Sequence, residues 1–204
     1  MLALVVILQL AVASAQPAAP PEPAPTFAVP SSPRWAPAIA IVTVQLTALR
    51  FTEAYLYPEP FAATDSSVFR HYRDAFTQPP LFDGDKPAFR WDGDPLVINV
   101  VGHGLLGSEL YLRARTCGFG WAGSWLFAAA ASTAWEYVFE GNGVRPSLQD
   151  LLYTPVAGLA LGEGRFALLR LAGTVRAPVL RAVLRAVFDP FGELARSPVV
   201  RSPC

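Results

Sequence analysis

Charge is scarce in this 204-residue chain: Asp, Glu, Lys and Arg together make up 16% of it, against about 25% in ordinary soluble domains. Hydrophobic residues make up 52%, and the mean hydropathy is +0.34, a balance that points to a membrane or membrane-associated protein. Cysteine is nearly absent. Cys117 and Cys204 are too few for a disulfide framework and leave either one bridge or two free thiols. Several catalytic signatures are missing as well: there is no His-Glu-x-x-His, no Gly-x-Ser-x-Gly elbow and no phosphate-cradling loop. Strand-like alternation is weak everywhere and no internal repeat occurs, which leaves a mostly α fold.

The formal net charge is zero but unevenly placed. Residues 1–164 hold nine Arg or Lys against fourteen Asp or Glu, whereas 165–204 hold seven against two. A basic C-terminal part can seek anionic lipid, but it lacks the aromatic-interleaved basic surface of a nucleic-acid binder, so no nucleic-acid partner is expected. The stretch "MLALVVILQLAVASA" ends in Ala13-Ser14-Ala15 and reads as a signal peptide over 1–15, cleaved before Gln16, although no basic residue precedes its apolar run. An uncleaved anchor is the alternative. No cysteine follows that would make it a lipoprotein. Residues 16–37 contain eight prolines and read as an extended or disordered linker. The domain then covers 38–196, with 197–204 as a tail.

Within that domain the pattern predicts a compact bundle of about four to six helices, membrane-embedded or membrane-associated. A first helix begins at Ala38, but its apolar run before Arg50 falls short of the roughly twenty residues that cross a bilayer. Residues 58–94 are polar and turn-rich. The two Asp-Gly-Asp triplets at 83–85 and 92–94 lack the spacing and closing Glu of a calcium loop, so they read as turns. His71 reads as a surface residue. Asp94-Pro95 suits a helix start, followed by a helix to about Arg115 and a stop at Gly118. A second helix fits 119–140, ended by Gly141-Asn142-Gly143, and a third opens at Pro146-Ser147, where Ser147 and Asp150 fit a capping box. A kink is expected at Pro155. A basic amphipathic helix near 176–188 has Arg181 and Arg185 opposite Val179, Val183 and Val187, and suits either a membrane surface or the protein's own core. Trp91, Trp121, Trp125 and Trp135 suit either an interfacial belt or core packing.

Residues four apart share a helix face, which gives three polar stripes. Asn99, His103, Gly107 and Tyr111 form one; Ser132, Glu136 and Glu140 the second; Asp150, Thr154, Gly158 and Gly162, followed by Glu163, the third. Charge facing lipid or an apolar core is costly, so the stripes should face one another and build a polar interior. His103, Glu136 and Glu140 are the candidate catalytic residues. Asn99, Tyr111, Ser132, Asp150, Thr154 and Glu163 are the candidate binding or structural cluster. For Asp150, helix capping is favoured over a chemical role, which stays open. Imidazole and carboxylates suit a divalent metal, so one is an open option, although no cofactor is required by the pattern. Two readings follow. Either the polar interior organises the bundle and binds a lipid or an envelope-protein partner, or a His/Glu site serves a hydrolase or transferase acting on envelope lipid or glycan.

The order "WDGDPLVINVVGHGLLGSELYLRAR", "SWLFAAAASTAWEYVFE", "RPSLQDLLYTPVAGLALGE" and "FDPFGELAR" resembles the bacterial envelope family called domain of unknown function 3943, over about residues 90–196. The resemblance implies that the polar-stripe residues other than Ser132 belong to one unit, together with Arg115, Ser124, Trp135, Pro146, Ser147 and Pro155. That family more often has proline where this chain has Gly104. A looser similarity, His then Glu then Ser-x-x-Asp then Gly, links the chain to VanZ-like membrane proteins. The signal peptide and the first resemblance together imply an exported, membrane-associated protein of the bacterial cell envelope, and neither resemblance names an activity.

Overall fold

The computed structural model of the protein describes residues 28–195 and 204. The expected signal peptide, most of the Pro-rich linker and most of the tail lie outside the described residues. Among the described residues there are eight α-helices and no strand, only an isolated bridge between Leu81 and Ser147. In chain order the helices are α1 (Trp35–Leu56), α2 (Pro58–Phe61), α3 (Ser67–Thr77), α4 (His103–Thr116), α5 (Trp121–Ala134), α6 (Leu148–Gly173), α7 (Pro178–Phe188) and α8 (Pro190–Ala195). Two π-helical segments complete the set: π1 (Val97–Gly102) runs into α4, and π2 (Trp135–Phe139) extends α5.

Several boundaries differ from expectation, each for a local reason. α1 starts at Trp35, inside the proposed linker, because Trp35 packs edge-on against Phe119. The turn-rich stretch 58–94 includes α2 and α3, whose residues pack on the end of π2 through Tyr72 and His71. His71 is thus half-buried rather than a surface residue, its Nδ1 lying 2.7 Å from the Asn142 carbonyl. α6 runs without interruption through Pro155. Gly118 ends the α4 segment as expected, at φ +89°, with the Ser32 and Pro30 carbonyls too close to admit a side chain.

The core is formed where α1, α4 and α5 meet: Ala38, Val42 and Leu46 pack with Leu110, Tyr111, Ala114, Phe127, Ala128 and Trp135. α4 and α6 cross closely, and glycine sets that distance. A Cβ on Gly107 would lie 2.0 Å from the Thr154 carbonyl oxygen, and one on Gly158 would lie 2.6 Å from the Gly107 oxygen. This contact places the polar stripe of α4 directly on that of α6. Cys117 and Cys204 form a disulfide, which settles the open choice between a bridge and two thiols.

Beside this apolar core, charged and polar side chains are also buried while large apolar ones are exposed. His103, Glu109, Arg113, Glu136, Gln149, Asp150 and Asp189 are all buried. Large apolar side chains stand outward on every long helix: Val44 and Phe51 on α1, Leu105 on α4, Leu126 on α5, Leu152, Val156 and Leu171 on α6. On α7 the apolar row is the outer one, with Val179 76% and Val187 63% exposed, while Arg181 and Arg185 turn inward to the Val175 carbonyl and to Glu193. α1 is the one described helix long and apolar enough to cross a membrane by length and composition.

Candidate metal and acid–base centre

The centre is built at the junction of π1, π2 and α6. A π turn carries i→i+5 bonds, widens the helix and is often found at functional sites. Here such turns deliver two of the partners: π1 ends at Gly102, immediately before His103, and Glu136 lies within π2. α6 supplies Asp150 in its first turn and Thr154 one turn later. His103, Glu136 and Asp150 converge, and one potential ligand atom from each lies within 4.8 Å of the others. His103 Nδ1 is 3.0 Å from Thr154 Oγ1 and 4.0 Å from Glu136 Oε1, while Nε2 is 3.7 Å from Asp150 Oδ2. All three are at most 7% exposed.

Capping chemistry explains how Asp150 reaches the site. In a capping box the third helical residue bonds back to the N-cap N–H. The Ser147 hydroxyl does accept from the Asp150 N–H at 3.3 Å. The Ser147 N–H, however, donates to Glu136 Oε2 at 2.9 Å, so Glu136 takes the place of the reciprocal carboxylate. Capping alone therefore does not account for Asp150, whose side chain instead meets His103 and Asp92.

Asp92 is the residue of this cluster that the turn reading of Asp-Gly-Asp missed. It accepts from Ser147 Oγ at 2.7 Å and from Asn99 Nδ2 at 2.8 Å, and it hydrogen-bonds the Asp150 carboxyl. Asn99 also donates to the Phe89 carbonyl at 3.0 Å, holding this segment against π1. The signal was its position, three residues before Pro95 and shortly before the first polar stripe.

Electrostatics assign protonation states. Burial lowers His103 to about 4, so the imidazole is neutral near pH 7. Burial raises Glu136 to about 8, with Asp150, Asp92 and Asp94 reinforcing it, and burial together with Asp92 raises Asp150 to about 7. Burial also opposes ionisation of Asp92, but hydrogen bonds from Ser147, the Asp94 N–H and Asn99 outweigh it and hold Asp92 below its ordinary value. A neutral imidazole thus faces carboxyl groups that gain and lose protons near neutrality. Such a set can store a proton or donate to a cation.

The other expected site residues fall into separate groups. Glu140 is turned away from His103, and its carboxyl hydrogen-bonds Glu53 of α1. Burial first, then Glu136 and Glu53, hold Glu140 well above its ordinary value. Arg50 closes that corner, donating to the Phe139 carbonyl at 2.7 Å and to Asn142 at 2.8 Å. Tyr111 donates to Glu163 at 2.6 Å, and Glu163 also receives Arg115 through two nitrogens, at 2.8 and 3.0 Å. Ser132 is buried on α5 with no hydrogen-bond partner for its hydroxyl. A further charged group, not anticipated, joins Glu109, Arg113, Arg165 and Asp189: Arg113 and Arg165 each reach Glu109, at 2.8 and 2.9 Å, and Arg113 also pairs with Asp189. The four-residue spacing of Glu109 and Arg113 was its sequence signal.

Comparison with known families gives one match, to the model of a domain of unknown function (DUF3943), over residues 88–191, just over half the chain. The chain belongs to this family. The DUF3943 match encloses π1, His103, Glu136, Asp150 and Asp92, so the whole centre lies inside the family region. It does not extend to the looser likeness to VanZ-like proteins. No curated protein and no solved structure matches the chain.

Proposed function

We propose that the protein is a membrane-associated cell-envelope protein whose His103–Glu136–Asp150 centre both fixes the crossing of its helices and serves as a binding centre. The observation that carries this reading is the burial of carboxyl groups together with the exposure of large apolar side chains. Glu136 and Asp150 are each 2% exposed while Phe51 and Val179 are more than 70% exposed, the reverse of what water selects. Exposed apolar side chains spread over several helices mark a surface that meets lipid or another protein. The disulfide supports export, because such bonds persist in oxidising compartments. The centre itself supports an organising role: one carboxylate, Glu136, ties π2 to the start of α6, and one imidazole joins α4 to α6 through Thr154.

Alkaline carbonate extraction of membranes from cells making the full chain tests the placement. The protein is expected to stay in the membrane pellet, held by apolar contact. Release into the supernatant contradicts the reading.

A further inference from the structure

We propose that His103, Glu136 and Asp150 hold a divalent transition-metal ion, of the zinc or manganese kind, as the resident ligand of the buried centre. The inference rests on the reading of this cluster as a binding centre and names what it binds.

The first support is the donor set and its spacing. One imidazole and two carboxylates come from three different segments, α4, π2 and α6, and present atoms within 4.8 Å of one another. Three atoms so placed can share a centre about 2.8 Å from each, and a contraction of roughly 0.6 Å reaches the about 2.2 Å typical of such bonds. The second support is independent of spacing. Glu136 Oε1 is buried without a hydrogen-bond partner, although a buried carboxylate oxygen is ordinarily satisfied. Glu136 uses its other oxygen to accept the Ser147 N–H, which leaves Oε1 directed toward His103. A cation there supplies that orphaned oxygen with a partner, with Asp150 Oδ2 on the other side of the ring, 3.7 Å from Nε2. The third support is charge. Two carboxylates and a neutral imidazole carry −2 when deprotonated, which a divalent ion neutralises, and the charged groups pressing on Glu136 are Asp150, Asp92 and Asp94, all acidic.

The remaining contacts fit a support shell. Ligating histidines usually bond a second group through the other ring nitrogen, and carboxylate ligands are themselves hydrogen-bonded. Here Thr154 meets His103 Nδ1, which leaves Nε2, on the Asp150 side, as the ligating nitrogen. Asp92 supports Asp150 in turn. Mixed nitrogen and oxygen donors suit zinc, manganese or iron, whereas calcium takes six to eight oxygens and no imidazole.

The test uses the full chain in detergent, freed of any affinity tag and stripped with EDTA. Zinc, manganese or calcium is added, the sample is gel-filtered, and bound metal per chain and Tm are read. One zinc or manganese per chain is expected, with Tm rising as the free ion rises and no response to calcium. His103→Ala and Asp150→Asn abolish the uptake, Thr154→Val weakens it by about 10–100-fold, and His71→Ala retains it. Substoichiometric metal in the native protein, or full uptake by His103→Ala, overturns the proposal. If zinc leaves Tm unchanged while Glu136→Ala still lowers it, the metal assignment fails and the organising role of the centre stands. If neither moves Tm, both fail.

Discussion

Glu136 accepts the Ser147 N–H at 2.9 Å, so a side chain from π2 caps the first turn of α6 in place of that helix's own Asp150. The exchange frees Asp150 to face His103. It makes the cluster a joint between segments that are adjacent in space but separated in sequence.

The joint predicts a difference between two substitutions at one position. In the EDTA-stripped chain, Glu136→Gln keeps an oxygen for the Ser147 N–H and should shift stability little. Glu136→Ala strands that buried N–H and should cost about 1–3 kcal/mol. Thermal or denaturant melts in detergent measure both, and equal losses would contradict the capping role.

The crossing of α4 and α6 predicts a second contrast. Gly107→Ala pushes a methyl into the Thr154 backbone and should destabilise by about 1–3 kcal/mol or abolish folding. Gly164→Ala, where nothing lies within 4 Å of the added carbon, should instead stabilise by roughly 0.5–1 kcal/mol. Paired melts decide it; an unaffected Gly107→Ala variant would show that the helices do not approach as described.

Glu140 gives the pH dependence its sign. Its folded pKa lies well above 4.5, so the folded state keeps a proton that the unfolded state releases. Stability from this group therefore falls as pH rises above 4.5, and ceases to fall once pH passes the raised folded value. Glu140→Gln, which still can donate to Glu53, should flatten this part of the curve. Melts across that pH range, native against variant, measure the slope.

The disulfide between Cys117 and Cys204 closes a sequence separation of 87 residues. Its removal in Cys117→Ser should cost about 2–4 kcal/mol. Free-thiol titration under denaturing, non-reducing conditions should find no thiol in the native chain, and two titratable thiols would contradict the pairing.

Much of the architecture was readable from residue types. Weak alternation indicated helices, Gly118 marked the end of α4, and Ser147 marked the start of α6. Four-residue spacing also located Asn99, His103 and Tyr111 on the buried side of one helical segment. The same rule put Glu140 beside Glu136, whose charge does press on it, but did not show its bond to Glu53, because it assumes an α-helical turn. In π2 the Glu140 N–H bonds back five residues to the Trp135 carbonyl at 2.9 Å, and the wider turn swings Glu140 toward α1. π turns have no residue signature, so that division was not legible. Asp92 was hidden for another reason: Asp-Gly-Asp serves turns so well that the local explanation sufficed. Only the long-range contact of Asp92 with Ser147 gives it a second role.

The central claim is that His103, Glu136 and Asp150 act as one buried unit, and a double-mutant cycle tests it most directly. Stabilities of the native chain, His103→Ala, Glu136→Ala and the double variant, each carrying intact membrane-extracted protein in detergent, give the coupling between the two side chains. The account predicts non-additivity of about 0.5–3 kcal/mol, the range found for groups sharing a network. Losses that simply add would contradict it.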